Sequence, residues 1–344
     1  MERNFFESAE ARQTSYLAWS GKTRMTQAER QQRFRVALAF GLVYVLWGST
    51  YLGIRIVVEH IPPAMMGASR YLLAGLPMLG WCALRGRSLR LNLSDFWRVL
   101  AIGVLLLTGG NVVLAWSEQY VPSGLAALIV AVVPIWVAVL ESILPQGERL
   151  AGRGLAGLAL GMAGLGVLMW PRLNAGGAAG HMQILGALGL VFCSLSWASG
   201  SILSRRSRLR IDTFAAAAWE MTLAGVVNLG IVLALGDHHR VVWTARGVGA
   251  IFYLVIFGSW IGFTAYIWLL EHVPTPKVAT YAYVNPVVAV FLGWLVLQER
   301  VDVYLVAGTA VIIAGVALVN SSKIRKAVAP PVEPELPACE AQAD

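Results

Sequence analysis

Two ionisable side chains lie within apolar stretches long enough to cross a membrane. Arg70 stands in PPAMMGASRYLLAG and Glu220 in FAAAAWEMTLAG. Ionisable groups at membrane depth are rare, and they usually pair with one another or mark a solute or proton pathway. Losing one member of a buried pair leaves an uncompensated charge. We therefore predict that Arg70 and Glu220 form an intramembrane charge pair, directly or through water. The alternative is that each finds its own polar partner.

Aromatic and amide side chains form a second group that could bind a solute. Tyr44, Trp47 and Tyr51 share one face of a helix by their spacing, although ordinary packing also explains such a stripe. A polar group in hydrocarbon costs a few kcal/mol unless it is satisfied, so we expect the amides of Asn111 and Asn285 to face a cavity or, alternatively, another helix. The predicted substrate-binding residues are Tyr44, Trp47, Asn111, Trp197, Tyr281 and Asn285.

Two prolines fall inside predicted spans, about ten residues from their starts. Pro134 and Pro286 each remove a backbone donor and are predicted to kink their helices. In transporters, paired interruptions in two halves of a chain point to the binding site, because freed carbonyls can meet the solute there. A kink that only improves packing is the alternative.

The sequence offers no set of residues typical of an enzyme. It lacks a phosphate-binding loop, a His or Cys cluster with metal-ligand spacing, and a nucleophile motif in a credible context. We therefore expect no catalytic residue, no metal and no cofactor. The net charge of +8 is read as a signal of membrane orientation, not of nucleic-acid binding.

These residues must be positioned by helices that cross a bilayer. The chain is 57% hydrophobic and 13% charged, with a mean hydropathy of +0.65, which exceeds what a soluble core requires. A membrane helix needs about twenty mostly apolar residues. We predict an all-α polytopic membrane protein with ten spans, near residues 36–57, 62–84, 96–116, 124–143, 153–170, 184–204, 213–235, 247–271, 277–298 and 303–320.

Charge placement predicts the orientation of these spans. With the N-terminus in the cytoplasm, 21 of the 27 Lys and Arg residues fall on the cytoplasmic side, and by the positive-inside rule both termini are cytoplasmic. Residues 1–35 read as a polar N-terminal segment, and residues 321–344 as a disordered tail. Met25 begins a short basic lead into the first span, so Met1 and Met25 both remain possible starts.

The chain also repeats itself. At an offset of 150 residues WGSTYLGIR, beginning at Trp47, overlies WASGSILSR, beginning at Trp197, and Pro134 overlies Pro286 at an offset of 152. We interpret residues 36–170 and 184–320 as two five-helix units. Because five is odd, the second unit enters the membrane upside down, which gives an inverted repeat of the kind that serves alternating access. A purely structural duplication is the alternative.

Several segments in this order resemble the EamA family of the drug/metabolite transporter superfamily, in its ten-helix form. The segments are WGSTY, PPAMMGASRYLLAG, VPSGLAALIVAVVPIWVAVL followed by GERL, and YAYVNPVVAVFLGW followed by Glu299 and Arg300. The resemblance implies a central cavity lined mainly by helices 1, 3, 4, 6, 8 and 9, with helices 5 and 10 peripheral. It also implies export of amino acids, metabolites or drugs, either coupled to protons or facilitative.

We therefore expect a secondary transporter in a bacterial inner membrane that exports small organic metabolites, such as amino acids or amphipathic drugs. Its partners would be the solute and the lipid bilayer, with protons as one candidate coupling ion; the sequence leaves the coupling ion and the choice between import and export open. The alternatives are a membrane sensor or assembly factor with the same topology and no flux, and an intramembrane enzyme. Solute identity and oligomeric state depend on features that helical spacing does not fix.

Overall fold

Helix is the dominant structure of the chain. The chain divides into two units, Met1–Ala39 and Phe40–Asp344, and the account below concerns the second. Most of the predicted N-terminal segment and of the predicted tail lies outside the described residues. The computed structural model describes residues 27–145, 148–149, 152–174, 177–321 and 325–326.

The described residues form ten helical segments, close to the positions that the sequence predicts. The first helix begins at Gln27, nine residues before the predicted start, and the fourth and ninth are each interrupted by a turn. We number them α1 (Gln27–Val58), α2 (Pro63–Leu84), α3 (Leu93–Ser117), α4 (Ser123–Ile143), α5 (Gly152–Asn174), α6 (Gly177–Arg206), α7 (Thr213–Leu235), α8 (Ala245–His272), α9 (Thr275–Val278 and Tyr281–Leu297) and α10 (Val303–Ser321).

The lengths and surfaces of these helices are those of a membrane protein. Six of them are long and apolar enough to cross a bilayer by length and composition alone, and three shorter apolar stretches lie in α5, α9 and α10. Large side chains such as Leu188, Phe192, Leu233 and Trp294 are more than half exposed on the outside of the bundle. Such surfaces need lipid rather than water. The predicted all-α polytopic fold is confirmed.

One small feature departs from the all-α prediction. Glu148–Arg149 pairs antiparallel with Arg325–Lys326, so two residues of the predicted disordered tail form a two-residue strand. The pairing lies just beyond the end of α4 and just beyond the end of α10. It adds no sheet to the core.

Close packing of α2 against α7 depends on glycines. A Cβ added at Gly75 would lie 2.4 Å from the hydroxyl oxygen of Thr222, and one added at Gly225 would lie 2.9 Å from Leu72. Small residues let membrane helices approach in this way. The two contacts are reciprocal, because Gly75 and Gly225 are 150 residues apart, as are Leu72 and Thr222. The order of the contacts makes the two helices antiparallel.

The helices α5 and α10 pack in the same manner. A Cβ at Gly315 would lie 2.8 Å from the carbonyl oxygen of Gly157, and one at Gly308 would lie 3.0 Å from that of Gly164. These contacts are again reciprocal, because each pair of equivalent glycines is 151 residues apart. Glycines at three- and four-residue spacing on α5 therefore form a helix-packing face, as their spacing predicts.

Three helices contain π-helical stretches. They are Val43–Trp47 in α1, Val104–Val112 in α3 and Leu254–Phe263 in α8. The stretches in α3 and α8 occupy matching positions in the two repeats, whereas α6, the counterpart of α1, has none. Because π-helical turns commonly mark functional sites, the space between these three helices is a candidate functional site.

Candidate functional site

Seven helices surround a cavity at the centre of the bundle. Its free volume is about 50 Å³, enough for one or two water molecules and too small for an organic solute, since ligand pockets hold about 300–1,000 Å³. Helices 5 and 10 contribute nothing to it, while α2 does. The lining residues are Trp47, Thr50, Tyr51, Ile54, Arg70, Tyr71, Leu107, Gly110, Asn111, Leu114, Val130, Cys193, Trp197, Gly258, Ser259, Phe263, Tyr281 and Asn285.

Four aromatic rings meet beside this cavity, and three of them, those of Trp47, Trp197 and Tyr281, line it. The ring of Trp47 lies 5.3 Å from that of Trp197, 4.8 Å from that of Tyr266 and 5.3 Å from that of Tyr281, measured between centroids. The indole N–H of Trp197 donates to the Tyr266 hydroxyl at 3.0 Å, and this hydroxyl is 2.6 Å from Ser201 Oγ. The four rings, called the aromatic cluster below, offer a large apolar surface with satisfied polar edges.

Each tryptophan of the cluster rests on a glycine from the opposite repeat. A Cβ at Gly262 would lie 2.4 Å from Trp47 Nε1, and a Cβ at Gly110 would lie 2.7 Å from Trp197 Cε3. The two glycines are 152 residues apart and both lie in the π-helical stretches. The indole N–H of Trp47 donates to the carbonyl of Gly258 at 3.1 Å, in the same stretch of α8.

Arg70 enters the central cavity from α2. Its side chain is 3% exposed; Nε donates to Ser259 Oγ at 3.0 Å and Nη1 donates to Asn111 Oδ1 at 3.3 Å. Among the described residues, no carboxylate lies within 4.0 Å of the guanidinium group. The predicted direct pair of Arg70 and Glu220 is therefore wrong for this conformation.

The register of α2 against α7 explains why the pair does not form. Gly67 faces Asn228 and Leu72 faces Gly225, so Arg70 lies opposite residue 226, six residues from Glu220. Six residues correspond to about 9 Å along a helix. The two side chains also point into different cavities, since Glu220 lines a second space and its two carboxylate oxygens have no hydrogen-bond partner among the described residues.

The other predicted residues divide between the cavity and its border. Trp47, Asn111, Trp197, Tyr281 and Asn285 line the central cavity. Tyr44 does not, because its hydroxyl bonds Thr280 Oγ1 at 2.9 Å on the far side of α9. With the amide of Asn285 oriented to satisfy its neighbours, its nitrogen donates to the carbonyls of Tyr44 at 3.0 Å and Tyr281 at 3.3 Å.

The two prolines occupy unequal positions. Pro134 is near the start of the second half of α4, directly after the turn at residues 131–132. Pro286 instead lies inside a continuous helix, and the break in α9 is at residues 279–280, nearly two turns earlier. The interruption predicted at each proline is therefore adjacent to Pro134 but displaced from Pro286.

The second cavity opens between the ends of α4, α6, α7 and α8 and has a volume of about 1000 Å³. Charged side chains dominate its wall: Arg206 Nη2 lies 2.7 Å from Glu141 Oε2, and Thr213 donates to Glu271 at 2.5 Å. Arg205 donates to the carbonyls of Leu270 and Val273 at the end of α8, each at 2.7 Å.

At the opposite end of the bundle, hydrogen bonds join the start of α4 to the segment that follows α9. Glu299 accepts hydrogen bonds from the Ser123 amide and hydroxyl, both at 2.8 Å, and from the Gly124 amide at 3.0 Å. A carboxylate at a helix N-terminus is stabilised by the free N–H groups and by the helix dipole. Nearby, Arg55 donates to the carbonyl of Glu118 at the end of α3. In the second repeat, Arg205 makes the equivalent hydrogen bond to the carbonyl of Leu270.

Sequence reasoning missed the roles of Ser259, Tyr266, Gly110 and Gly262. The two glycines share the offset of 152 that relates the prolines, so the repeat could have revealed them. Ser259 and Tyr266 carry no such signal. Within the described residues, no group of three or more His, Cys, Asp or Glu side chains could hold a metal ion.

A bundle of mostly apolar helices around a central polar and aromatic cavity is typical of membrane transporters. The chain belongs to the EamA-like transporter family, which matches residues 35–170 and again residues 184–321. The resemblance seen in the sequence is thereby confirmed.

Several bacterial proteins are similar to this chain over most of its length. It is 37% identical to the uncharacterized inner membrane transporter YedA of Escherichia coli K12, covering 88% of this chain and 97% of that protein. It is 26% identical to a probable amino-acid metabolite efflux pump of the same strain, covering 83% and 95%. A crystal structure with 22% identity superposes with a TM-score of 0.61 over 83% of this chain and 96% of the other, which shows the fold alone.

Proposed function

We propose that this protein is a secondary transporter that exports small organic metabolites, such as amino acids or amphipathic drugs, across a bacterial inner membrane. The observation that carries the proposal is the central cavity, where helices of both repeats bring together an aromatic cluster, a buried arginine and two amides. Membership in a transporter family supports it, as does the efflux pump among the relatives.

The proposed mechanism is alternating access between two inverted repeats. Its support is the reciprocity of the contacts: Gly75 with Thr222 repeats as Gly225 with Leu72, and Trp47 on Gly262 repeats as Trp197 on Gly110. Equivalent helices that meet antiparallel are related by a two-fold axis across the helices. Such symmetry lets the two halves exchange conformations around a fixed site.

The two ends of the bundle support a conformation open on one side only. Glu299 ties the N-terminus of α4 at one end, while the other end holds a polar cavity of about 1000 Å³. With both termini placed in the cytoplasm by the positive-inside rule, the wide end faces the cytoplasm. The central cavity is then contracted, and loading a solute requires the helices around it to separate.

Proton coupling is part of the proposal, with Glu220 as the carrier. Its side chain is buried, neither carboxylate oxygen has a partner among the described residues, and it lines the wide polar cavity that would supply water. A carboxyl group without fixed partners can gain or lose a proton without breaking a network. Glu118 is buried in the same way but lines neither of these two cavities.

Solute counterflow into proteoliposomes tests the function. Vesicles loaded with an unlabelled amino-acid mixture or an amphipathic drug should accumulate the labelled compound faster with the protein than without it. Trp47→Ala, in the centre of the aromatic cluster, should abolish the difference. The absence of flux for every compound in a metabolite library would favour the sensor or assembly factor, and release of a chemically changed compound would favour an intramembrane enzyme.

Labelling of introduced cysteines tests the topology. In a background without native cysteines, substitutions at Arg87 and Arg206 should react with an impermeant maleimide only from the cytoplasmic side. Substitutions at Gly177 and His238 should react only from the outside. Labelling of all four positions from one side would contradict the inverted repeat.

A further inference from the structure

Arg70 carries a charge into the helical bundle, and no described residue acts as its counterion. Its side chain is 3% exposed, and two of its three guanidinium nitrogens donate to neutral oxygens, those of Ser259 and Asn111. The third, Nη2, makes no hydrogen bond to any described residue. A buried charge of this kind is costly unless an opposite charge joins it.

Glycine at position 258 creates the space that the guanidinium group occupies. A Cβ at Gly258 would lie 2.6 Å from Arg70 Nη2. The carbonyl of the same residue accepts the indole N–H of Trp47 at 3.1 Å. Arg70 and the aromatic cluster therefore meet at one residue of α8, and both Arg70 and Trp47 line the central cavity.

We propose that Arg70 binds the carboxylate of a monoanionic solute whose apolar body packs on the aromatic cluster. A single guanidinium with a free edge matches one carboxylate, because the fork of N–H groups binds both oxygens and the pair is neutral. A dianionic phosphate would leave an uncompensated charge, since Arg70 is the only cationic side chain among the described residues that line this cavity. The inference rests on the proposed function and assigns the class of its solute.

Asn111 provides a test that leaves the shape of the site unchanged. Its Oδ1 already accepts from Arg70 Nη1, so Asn111→Asp places a carboxylate beside the guanidinium without altering the side-chain volume. That carboxylate would neutralise Arg70 internally. Gly258→Ala would instead displace the guanidinium while keeping its charge, because the far end of a flexible side chain gives way first.

The experiment measures ligand-dependent melting of the full-length protein in nanodiscs with three matched probes. These are 3-phenylpropanoate, its neutral amide 3-phenylpropanamide, and 2-phenylethylamine. For the unchanged protein we expect 3-phenylpropanoate to bind about tenfold more tightly than the amide, as a charged hydrogen-bonded pair predicts. Arg70→Gln and Asn111→Asp should each remove this preference, and Gly258→Ala should weaken it. The exposed Arg246→Gln is the matched control and should keep it.

Equal binding of the acid and the amide would overturn the inference, as would a preference that survives Arg70→Gln, or stabilisation by chloride with none by 3-phenylpropanoate. Flux of the same probes into proteoliposomes separates this result from the proposed function. A carboxylate preference without any flux would reject transport and keep the role of Arg70. Flux without the preference would keep transport and reject the role of Arg70.

Discussion

The two repeats agree in their packing and differ in their polar side chains. Equivalent glycines meet equivalent partners between α2 and α7, between α5 and α10, and under the two tryptophans. Yet Arg70 of the first repeat corresponds to Glu220 of the second, and Asn285 corresponds to Val133. The symmetric contacts are those of a scaffold that could adopt either of two related conformations. In the proposed mechanism, the asymmetric residues bind the solute in one orientation.

The largest effect should come from breaking the symmetric contacts beneath the tryptophans. Gly262→Ala and Gly110→Ala each insert a methyl group where an indole atom would lie 2.4 Å or 2.7 Å away. Overpacking of this kind costs about 1–3 kcal/mol. Thermal melts in detergent should show a lower midpoint for both variants, by similar amounts.

Gly230→Ala is the matched control for these two substitutions. Position 230 lies on the exposed surface of α7, and a Cβ there meets nothing within 4 Å. Its melting temperature should stay the same or rise slightly, because Ala is a better helix former than Gly. A lower melting temperature for Gly262→Ala with no change for Gly110→Ala would show that the two tryptophans are not packed equally tightly.

The next largest effect concerns Glu220, the counterpart of Arg70 in the second repeat. Glu220→Gln keeps the shape of the buried side chain and removes its ability to carry a proton. We expect solute exchange to persist while an imposed pH gradient no longer drives accumulation, as measured in proteoliposomes. The exposed Glu59→Gln should leave the response to the gradient intact. An unchanged response in Glu220→Gln would remove this residue from the coupling mechanism.

The smallest effect distinguishes two equivalent hydroxyls. Ser123 begins α4 and bonds Glu299, whereas Thr275, its counterpart 152 residues later, begins α9 with its hydroxyl buried and without a partner among the described residues. Ser123→Ala should lower the free energy of unfolding by about 1 kcal/mol. Thr275→Val should leave it unchanged or raise it, because a buried unpaired hydroxyl is removed. An equal decrease in the free energy of unfolding for Ser123→Ala and Thr275→Val, measured by chemical denaturation, would contradict this asymmetry.

Much of the fold could be predicted from the sequence because lipid imposes long apolar segments and duplication leaves matching residues. The segments around Trp47 and Trp197 therefore predicted both the helices and their relation. The direction of individual side chains could not be predicted in the same way. Val43–Trp47 is π-helical, so ideal spacing grouped Tyr44 with Trp47, whereas only Trp47 reaches the cavity.

The error at Arg70 has a different physical origin. The prediction used the position of each residue along its span, and this position does not determine which cavity a side chain enters. That depends on how α2 is rotated against α7, and small contacts such as Gly67 on Asn228 set the rotation. The sequence also does not show which face of α8 turns toward the central cavity, so Tyr266 and Ser259 were missed.

The central claim is that the end held by Glu299 must open for transport to occur. Ser123→Cys and Glu299→Cys, in a background lacking Cys82, Cys193 and Cys339, place one thiol on each side of the hydrogen bond between Ser123 Oγ and Glu299 Oε1. A cysteine side chain is shorter than that of glutamate, so a short bis-methanethiosulfonate reagent is used to bridge the two thiols. This cross-link should stop solute counterflow in proteoliposomes, and reduction should restore it, while each single-cysteine variant keeps its counterflow under both treatments. Full counterflow with the cross-link intact would contradict alternating access through this end of the bundle.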